Sequence, residues 1–203
     1  MVAWMLTALL LGPGCRATAT APDLAKLEVG AAAPAFTLTD LSGKEHALAD
    51  YRGKTVVLEW FNPGCPYVND VHEAGGVLEK TPAERMGKGV VWLAINSGAP
   101  GKQGHGLEVN RAAKQKWSLD YPILLDEDGT VGRAYGAVTT PHLYVIDGEG
   151  VLRYEGAVDN HPMREKSGDH KPYAAMAIDD LLAGRAVGVP RTRPYGCSVK
   201  YGG

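Results

Sequence analysis

The sequence is poor in cysteine: Cys15, Cys65 and Cys197 lie far apart along 203 residues. That excludes a disulfide-stapled mini-domain and a four-ligand structural zinc site, both of which need clustered thiols. A basic excess is also lacking, since 21 Lys and Arg against 23 Asp and Glu give a formal net charge of -2. A surface that gathers phosphates needs the opposite balance, so nucleic acid is not an expected partner. No internal repeat, phosphate-binding loop or dinucleotide glycine fingerprint is present. The glycine-rich stretch from Gly98 to Gly106 follows no phosphate-loop spacing and reads as a mobile loop. With 45% hydrophobic and 22% charged residues, what remains is one globular domain long enough to bury its own core.

The first residues read as an address. Met1 to Leu11 is almost entirely apolar but too short to span a bilayer as a stable helix, and it runs through Gly12-Pro13-Gly14 into Cys15. Residues 1–15 are therefore expected to be a signal segment. Cys15 directly after Gly14 resembles the lipidation site of bacterial lipoproteins, the alternative being an ordinary cleaved signal or a misplaced start. The expectation is export to a bacterial periplasm, with membrane attachment only through a lipid on Cys15. Residues 16–26, rich in Ala, Thr and Pro, read as a linker. Residues 27–184 form the domain and 185–203 an irregular, Pro- and Gly-containing tail that carries Cys197.

Within the domain, Pro34 to Thr39 and His46 to Leu48 flank the turn Leu41-Ser42-Gly43-Lys44 as a hairpin. Thr55 to Phe61 is a continuous β-branched and aromatic run fit for a buried central strand. After Asn62-Pro63-Gly64-Cys65-Pro66, the residues Val68, Val71, Gly75 and Leu78 share one helical face, and Pro66 suits a first helical turn. Further strands are expected over Val90 to Ile95 and Ile123 to Leu125, and helices over Leu107 to Trp117 and Tyr173 to Ala183, with Gly184 as a stop. Leu143 to Ile146 and Val151 to Glu155 flank Asp147-Gly148-Glu149-Gly150 as a second hairpin. Strands interleaved with helices imply an α/β fold with a partly parallel sheet.

Cys65 stands where strand, tight loop and helix meet. A thiolate is the nucleophilic form, and a helix start offers it unpaired N–H groups and the positive dipole end, which lower a thiol pKa from about 8.5 to roughly 3.5–7.5. The competing reading is a small buried hydrophobe. The Asn-Pro-Gly loop argues against burial, since such residues make solvent-facing turns.

Leu58-Glu59-Trp60-Phe61-Asn62-Pro63-Gly64-Cys65-Pro66, followed by Thr139-Thr140-Pro141-His142-Leu143-Tyr144-Val145-Ile146-Asp147, resembles the thioredoxin superfamily. Within it the chain is most similar to the peroxiredoxin-like branch related to alkyl hydroperoxide reductase and thiol-specific antioxidant proteins. Pro34 to Lys44, Tyr51-Arg52-Gly53-Lys54 and the tail segment Gly196 to Tyr201 carry the likeness from about Leu27 to Tyr201. It implies a thioredoxin-like fold: a central mixed sheet flanked by helices, with an N-terminal hairpin and an irregular tail. It also implies an antioxidant-type thiol-disulfide oxidoreductase or thiol peroxidase serving cell redox homeostasis. Cys65 would attack a peroxide or a disulfide, Cys197 or an external thiol would resolve the product, and no cofactor is required.

The chain departs from both family motifs. Val68 replaces the second cysteine of Cys-x-x-Cys, so exchange within one motif is excluded, and Asn62 stands where peroxiredoxins carry a hydroxyl. Asn62 remains a candidate donor to a peroxide oxygen and Trp60 a wall of the site. Pro141 is expected in the cis form, turning the Thr140 backbone toward substrate, the alternative being a trans proline at a strand start. Glu59, six residues before Cys65, is a candidate buried proton relay or, alternatively, a partner of Lys54 or Arg52. Metal binding is not expected: related copper-delivery proteins use Cys-x-x-x-Cys plus a histidine, and Asn69 stands at the second thiol's place. Two rival functions stay open, a dedicated disulfide reductase and a binding module that presents the Gly98 to Gly106 loop and the tail without redox turnover.

Overall fold

The structure, a computed structural model, describes residues 27–164 and 168–203. The expected signal segment, the linker and Cys15 lie outside the described residues. Seven strands form one mixed sheet in the order β2-β1-β5-β4-β3-β7-β8. The hairpin β1 (Thr37–Asp40) and β2 (Glu45–Ala47) forms one edge, and β7 (His142–Ile146) and β8 (Leu152–Gly156) the other. Between them β3 (Val56–Trp60), β4 (Val91–Asn96) and β5 (Ile123–Leu125) run parallel. This is the thioredoxin-like arrangement that the resemblance implied, with the partly parallel sheet expected from the interleaved strands and helices.

The central run is buried at every position of β3, as a strand covered on both faces must be. Its alternation divides the core. Val57, Phe61, Cys65 and Val68 join residues of α3 (Leu107–Lys116) and α5 (Tyr173–Leu182) on one face. Val56, Leu58 and Trp60 pack on the other with Val131 and Tyr135 of α4 (Thr130–Tyr135). Each fully buried aliphatic or aromatic side chain contributes about 1.5–3 kcal/mol, so the sheet's centre is the most firmly held part of the domain and a rigid base for the loop after β3.

The helix after Cys65 is shorter than the apolar spacing predicts. α1 ends at His72 (Pro66–His72), and Leu78 is buried from a separate turn. Gly75 lies at φ +81, and a Cβ on Gly76 would collide with the carbonyls of Asp70 and Val71. The helix cannot continue through such a bend. Two helices of six residues were not anticipated, α2 (Thr81–Met86) and α4.

The tail is docked. Its strand β9 (Cys197–Ser198) pairs antiparallel with β6 (Thr139–Thr140), and Val199 N donates to Val138 O at 3.1 Å. Tyr201 donates to Ala137 O at 2.8 Å and stacks under Arg133, the guanidinium 4.7 Å from its ring centre. The glycine-rich loop is likewise tied down rather than loose. Asn96 Nδ2 donates to Gly104 O at 2.9 Å, and Asn110 Nδ2 to Gly104 O and Gly106 O at 3.0 and 2.7 Å.

Candidate active site

Cys65 is the residue before the first turn of α1, held there by its own N–H on Asn62 O at 3.0 Å and by its carbonyl, which accepts from Asn69 N at 3.0 Å. Asn69 Nδ2 braces the same loop, donating to Pro63 O and Cys65 O at 3.0 and 2.9 Å. The position at a strand-to-helix junction is as expected, but its exposure is not: Cys65 is 0% exposed. The solvent-facing loop fails as a predictor because the tail lies over it. β9 sets Cys197 opposite Thr140, and Gly196, at φ +126, permits the approach, since a Cβ there would strike the Thr140 carbonyl.

The peptide bond between Thr140 and Pro141 is cis. Cys65 Sγ donates to Thr140 O at 3.0 Å. Both Cys65 and Cys197 are free thiols, one buried and one half-buried. Burial pushes the Cys65 thiol up, but the groups around the sulfur that favour its charged form, the Cys197 thiol first, then the Thr140 side chain and the N–H groups of Val68 and Cys197, outweigh burial and leave Cys65 below the ordinary cysteine value. Burial, then the hydrogen bond to Cys65 and the charge that sulfur develops, push Cys197 up to about 11. One sulfur is thus prepared to be a thiolate and its neighbour to remain a thiol. That asymmetry suits a nucleophile and a proton-bearing resolving partner.

Glu59 is fully buried on the Cys65 side of β3. It pairs with neither Lys54 nor Arg52: its Oε1 accepts from His72 Nε2 at 2.6 Å, and its Oε2 from Trp92 Nε1 at 3.0 Å and Tyr121 OH at 3.4 Å. Arg52 instead reaches the carbonyl of Glu149. Burial and the Glu59 charge push the Tyr121 hydroxyl well up, so it stays a proton donor. His72 was missed, although Val68, Val71 and His72 are all buried and fall at helical spacing on one face of α1.

Two expected site residues are placed elsewhere. Trp60 does not wall the site; the strand's alternation sends it to the opposite core, where its Nε1 donates to Ser97 Oγ at 3.1 Å. Asn62 is near the loop but already engaged, its Nδ2 on Gln103 O and Oε1, both at 3.3 Å, and its Oδ1 accepting from Gly64 N at 2.9 Å. The Thr140 backbone, expected to take a substrate's extended chain, carries the protein's own β9. Asp159 accepts from Tyr195 OH at 2.6 Å and from His170 Nε2 at 2.9 Å, and so latches the tail.

The Redoxin family model matches residues 28–171. The chain is 35% identical over 132 residues to thiol-disulfide oxidoreductase ResA of Geobacillus thermodenitrificans (strain NG80-2), covering 62% of this chain and 67% of that protein. It is 30% identical over 145 residues to the chloroplastic peroxiredoxin Q of Suaeda salsa, covering 64% of this chain and 60% of that one. A crystal structure of a hypothetical protein from Sinorhizobium meliloti 1021 superposes with a TM-score of 0.76 at 28% identity, covering 88% of this chain and 97% of that one.

Proposed function

The chain belongs to the Redoxin family, it is a thiol-dependent oxidoreductase, and from that premise we propose that Cys65 and Cys197 are its redox couple. The observation that carries this reading is the pairing of β6 with β9, which seats the second thiol beside the buried first one.

The Cys65 thiolate attacks one oxygen of a peroxide. The O–O bond breaks, the other oxygen leaves as an alkoxide or hydroxide that takes up a proton, and Cys65 is left as sulfenic acid. Cys197 then attacks the Cys65 sulfur; its S–H proton leaves with the hydroxyl as water, and a Cys65–Cys197 disulfide forms. A disulfide oxidant gives the same product by two exchanges, the first forming a mixed disulfide on Cys65. An external dithiol returns the pair to the reduced state, so no cofactor takes part. Proton transfer through Glu59 belongs to this reading, on the strength of its burial on the Cys65 side of the sheet. Thr140 and Pro141 shape the edge beside the sulfur. Asn62 holds the loop rather than the oxidant, since its amide is already occupied.

Export and lipid attachment through Cys15 belong to the same proposal and rest on the apolar segment before that residue. Among the described residues no helix is long and apolar enough to cross a membrane. Labelling with a radioactive fatty acid in a bacterial host tests this part: label on the wild type and none on Cys15→Ala supports it.

The redox reading is tested by stopped-flow oxidation of the reduced protein, with hydrogen peroxide and with a model disulfide in parallel. Cys65→Ser is expected to remove all turnover with either oxidant and to keep the fold, because serine is nearly isosteric. Retained turnover in that variant would displace Cys65 as the nucleophile.

A further inference from the structure

The tail does more than bring a second thiol to Cys65. Its strand β9 takes the backbone edge beside the sulfur, where an incoming polypeptide would lay a strand of its own to present a disulfide. Thr139 faces Ser198, Thr140 faces Cys197, and Val199 N donates to Val138 O at 3.1 Å, so the pairing runs on beyond β9. Downstream the chain is pinned. Ala99 N donates to Lys200 O and Arg133 Nη2 to Gly202 O, both at 2.9 Å. The Tyr201 ring fills the space over Gly129 and Gly132, where a Cβ on either glycine would collide with it. Upstream, Gly196 lies so close to the Thr140 carbonyl that any side chain there would strike it. The edge thus fits a Gly-Cys strand, and the chain supplies one itself. On the loop side Gln103 rests against Gly64, where a Cβ would meet its Cγ at 2.6 Å, and Cys65 is left with no exposed surface.

We infer that the docked tail selects the oxidant, admitting small hydroperoxides to Cys65 and excluding polypeptide disulfides. The inference rests on the reading of Cys65 as the nucleophile and narrows its substrate to one class. Hydrogen peroxide is scarcely larger than water and needs only a gap of that size beside the sulfur. Movement of the half-buried Cys197 side chain opens one while the backbone pairing of β9 stays intact. A polypeptide disulfide needs the edge itself, so β9, the Tyr201 ring and the contacts of Lys200 and Gly202 have to come away first. The fraction of molecules with that edge open then limits the reaction. With peroxide, the thiolate takes one oxygen, the O–O bond breaks, and hydroxide leaves and is protonated to water. With a disulfide, it takes one sulfur, the S–S bond breaks, and a peptide thiolate leaves. Both reactions oxidise the same sulfur from the same thiolate, so the ratio of their rates reports access alone.

Quenched-flow alkylation with mass spectrometry, on the reduced full-length protein, measures the loss of the Cys65 thiol with two oxidants. One is hydrogen peroxide and the other a disulfide-linked dimer of a short, extended peptide. The wild type is expected to react with peroxide and far more slowly with the peptide dimer. Tyr201→Ala empties the space over Gly129 and Gly132, and Gly196→Ala sets a Cβ against the Thr140 carbonyl. Both loosen the tail and leave both cysteines in place. Each is expected to raise the peptide-to-peroxide rate ratio at least about tenfold, as the open-edge fraction rises by that factor. Tyr201→Phe keeps the ring and is expected to stay near the wild-type ratio. Gly196→Ala supplies the readout if Tyr201→Ala fails to fold. A wild type oxidised by the peptide dimer as fast as by peroxide, or an unmoved ratio in the folded loosened variants, would overturn the inference. In either case a wild type that is oxidised by peroxide at Cys65 keeps its nucleophile and loses the selection alone. A wild type oxidised by neither reagent would overturn both.

Discussion

Tyr195 donates a 2.6 Å hydrogen bond to Asp159, fastening the tail to the domain two residues before Cys197. The same carboxylate accepts from the His161 N–H at 3.0 Å and from His170, and the Tyr195 ring packs 5.9 Å from that of Tyr67 on α1. Cys197 is therefore kept beside Cys65 by contacts remote from either sulfur.

If that latch positions the resolving thiol, loosening it should change resolution more than nucleophilic attack. Tyr195→Phe keeps the ring and removes the donor, at a cost of about 0.5–1.5 kcal/mol for the hydrogen bond. Single-turnover kinetics are expected to show an unchanged first oxidation of Cys65 and a slower second phase. More sulfinic acid should accumulate at high peroxide. Equal second-phase rates in the variant and the wild type would remove the latch from the mechanism.

The buried Glu59–His72 pair allows architecture and proton transfer to be separated. Glu59→Leu leaves His72, Trp92 and Tyr121 as donors without their common acceptor, and a buried pair broken from one side costs about 3–5 kcal/mol. A urea midpoint lowered by that free energy divided by an unchanged slope is the expected outcome. Glu59→Gln retains an acceptor oxygen for these donors and is expected to fold. If Glu59 relays a proton, its pH–rate profile will shift, and an unchanged profile in a folded Glu59→Gln protein would leave the carboxylate a purely structural role.

Opposite shifts on the two thiols give stability a shape in pH. The Cys65 thiol is depressed from its ordinary value of 9.0, so its contribution is present above that value and is lost as pH falls through the lower folded value. Cys197 is raised from 9.0 to about 11, so its contribution is present below 9.0 and is lost as pH rises through 11. Relative to a Cys65→Ala/Cys197→Ala protein, the stability of the reduced wild type should rise toward pH 9 and fall beyond it. A difference curve without a maximum between neutral pH and 11 would contradict the assignment of the shifts.

The central strand, the position of Cys65 and both hairpins were legible because each is a local pattern: an apolar run, a proline at a first turn, glycine turns between alternating segments. Trp60 was misplaced although period-two alternation already separates it from Glu59 and Phe61 along β3. The likeness to known active sites outweighed that simple geometric rule. α2 and α4, at six residues, are too short for a 3.6-residue period to register. α4 begins where it does because Asp126 accepts from the N–H groups of Val131 and Gly132 at 3.1 and 2.8 Å. His72 as the partner of Glu59, and Asp159 as the partner of Tyr195, depend on side chains meeting across separate elements. The tail carries apolar side chains that are legible in the sequence and that the fold uses as anchors, Tyr195, Val199 and Tyr201. Its burial of Cys65 was not, because that follows from the combined register of β6, β9 and Gly196.

Peptide mapping by mass spectrometry after one equivalent of hydrogen peroxide tests the central claim most directly. With Cys197 seated beside Cys65, the digest should contain a Cys65–Cys197 cross-linked peptide that disappears on reduction and is absent from Cys197→Ala. Cys65 recovered as sulfinic acid, with Cys197 still alkylatable, would contradict the account and leave resolution to a thiol from outside the chain.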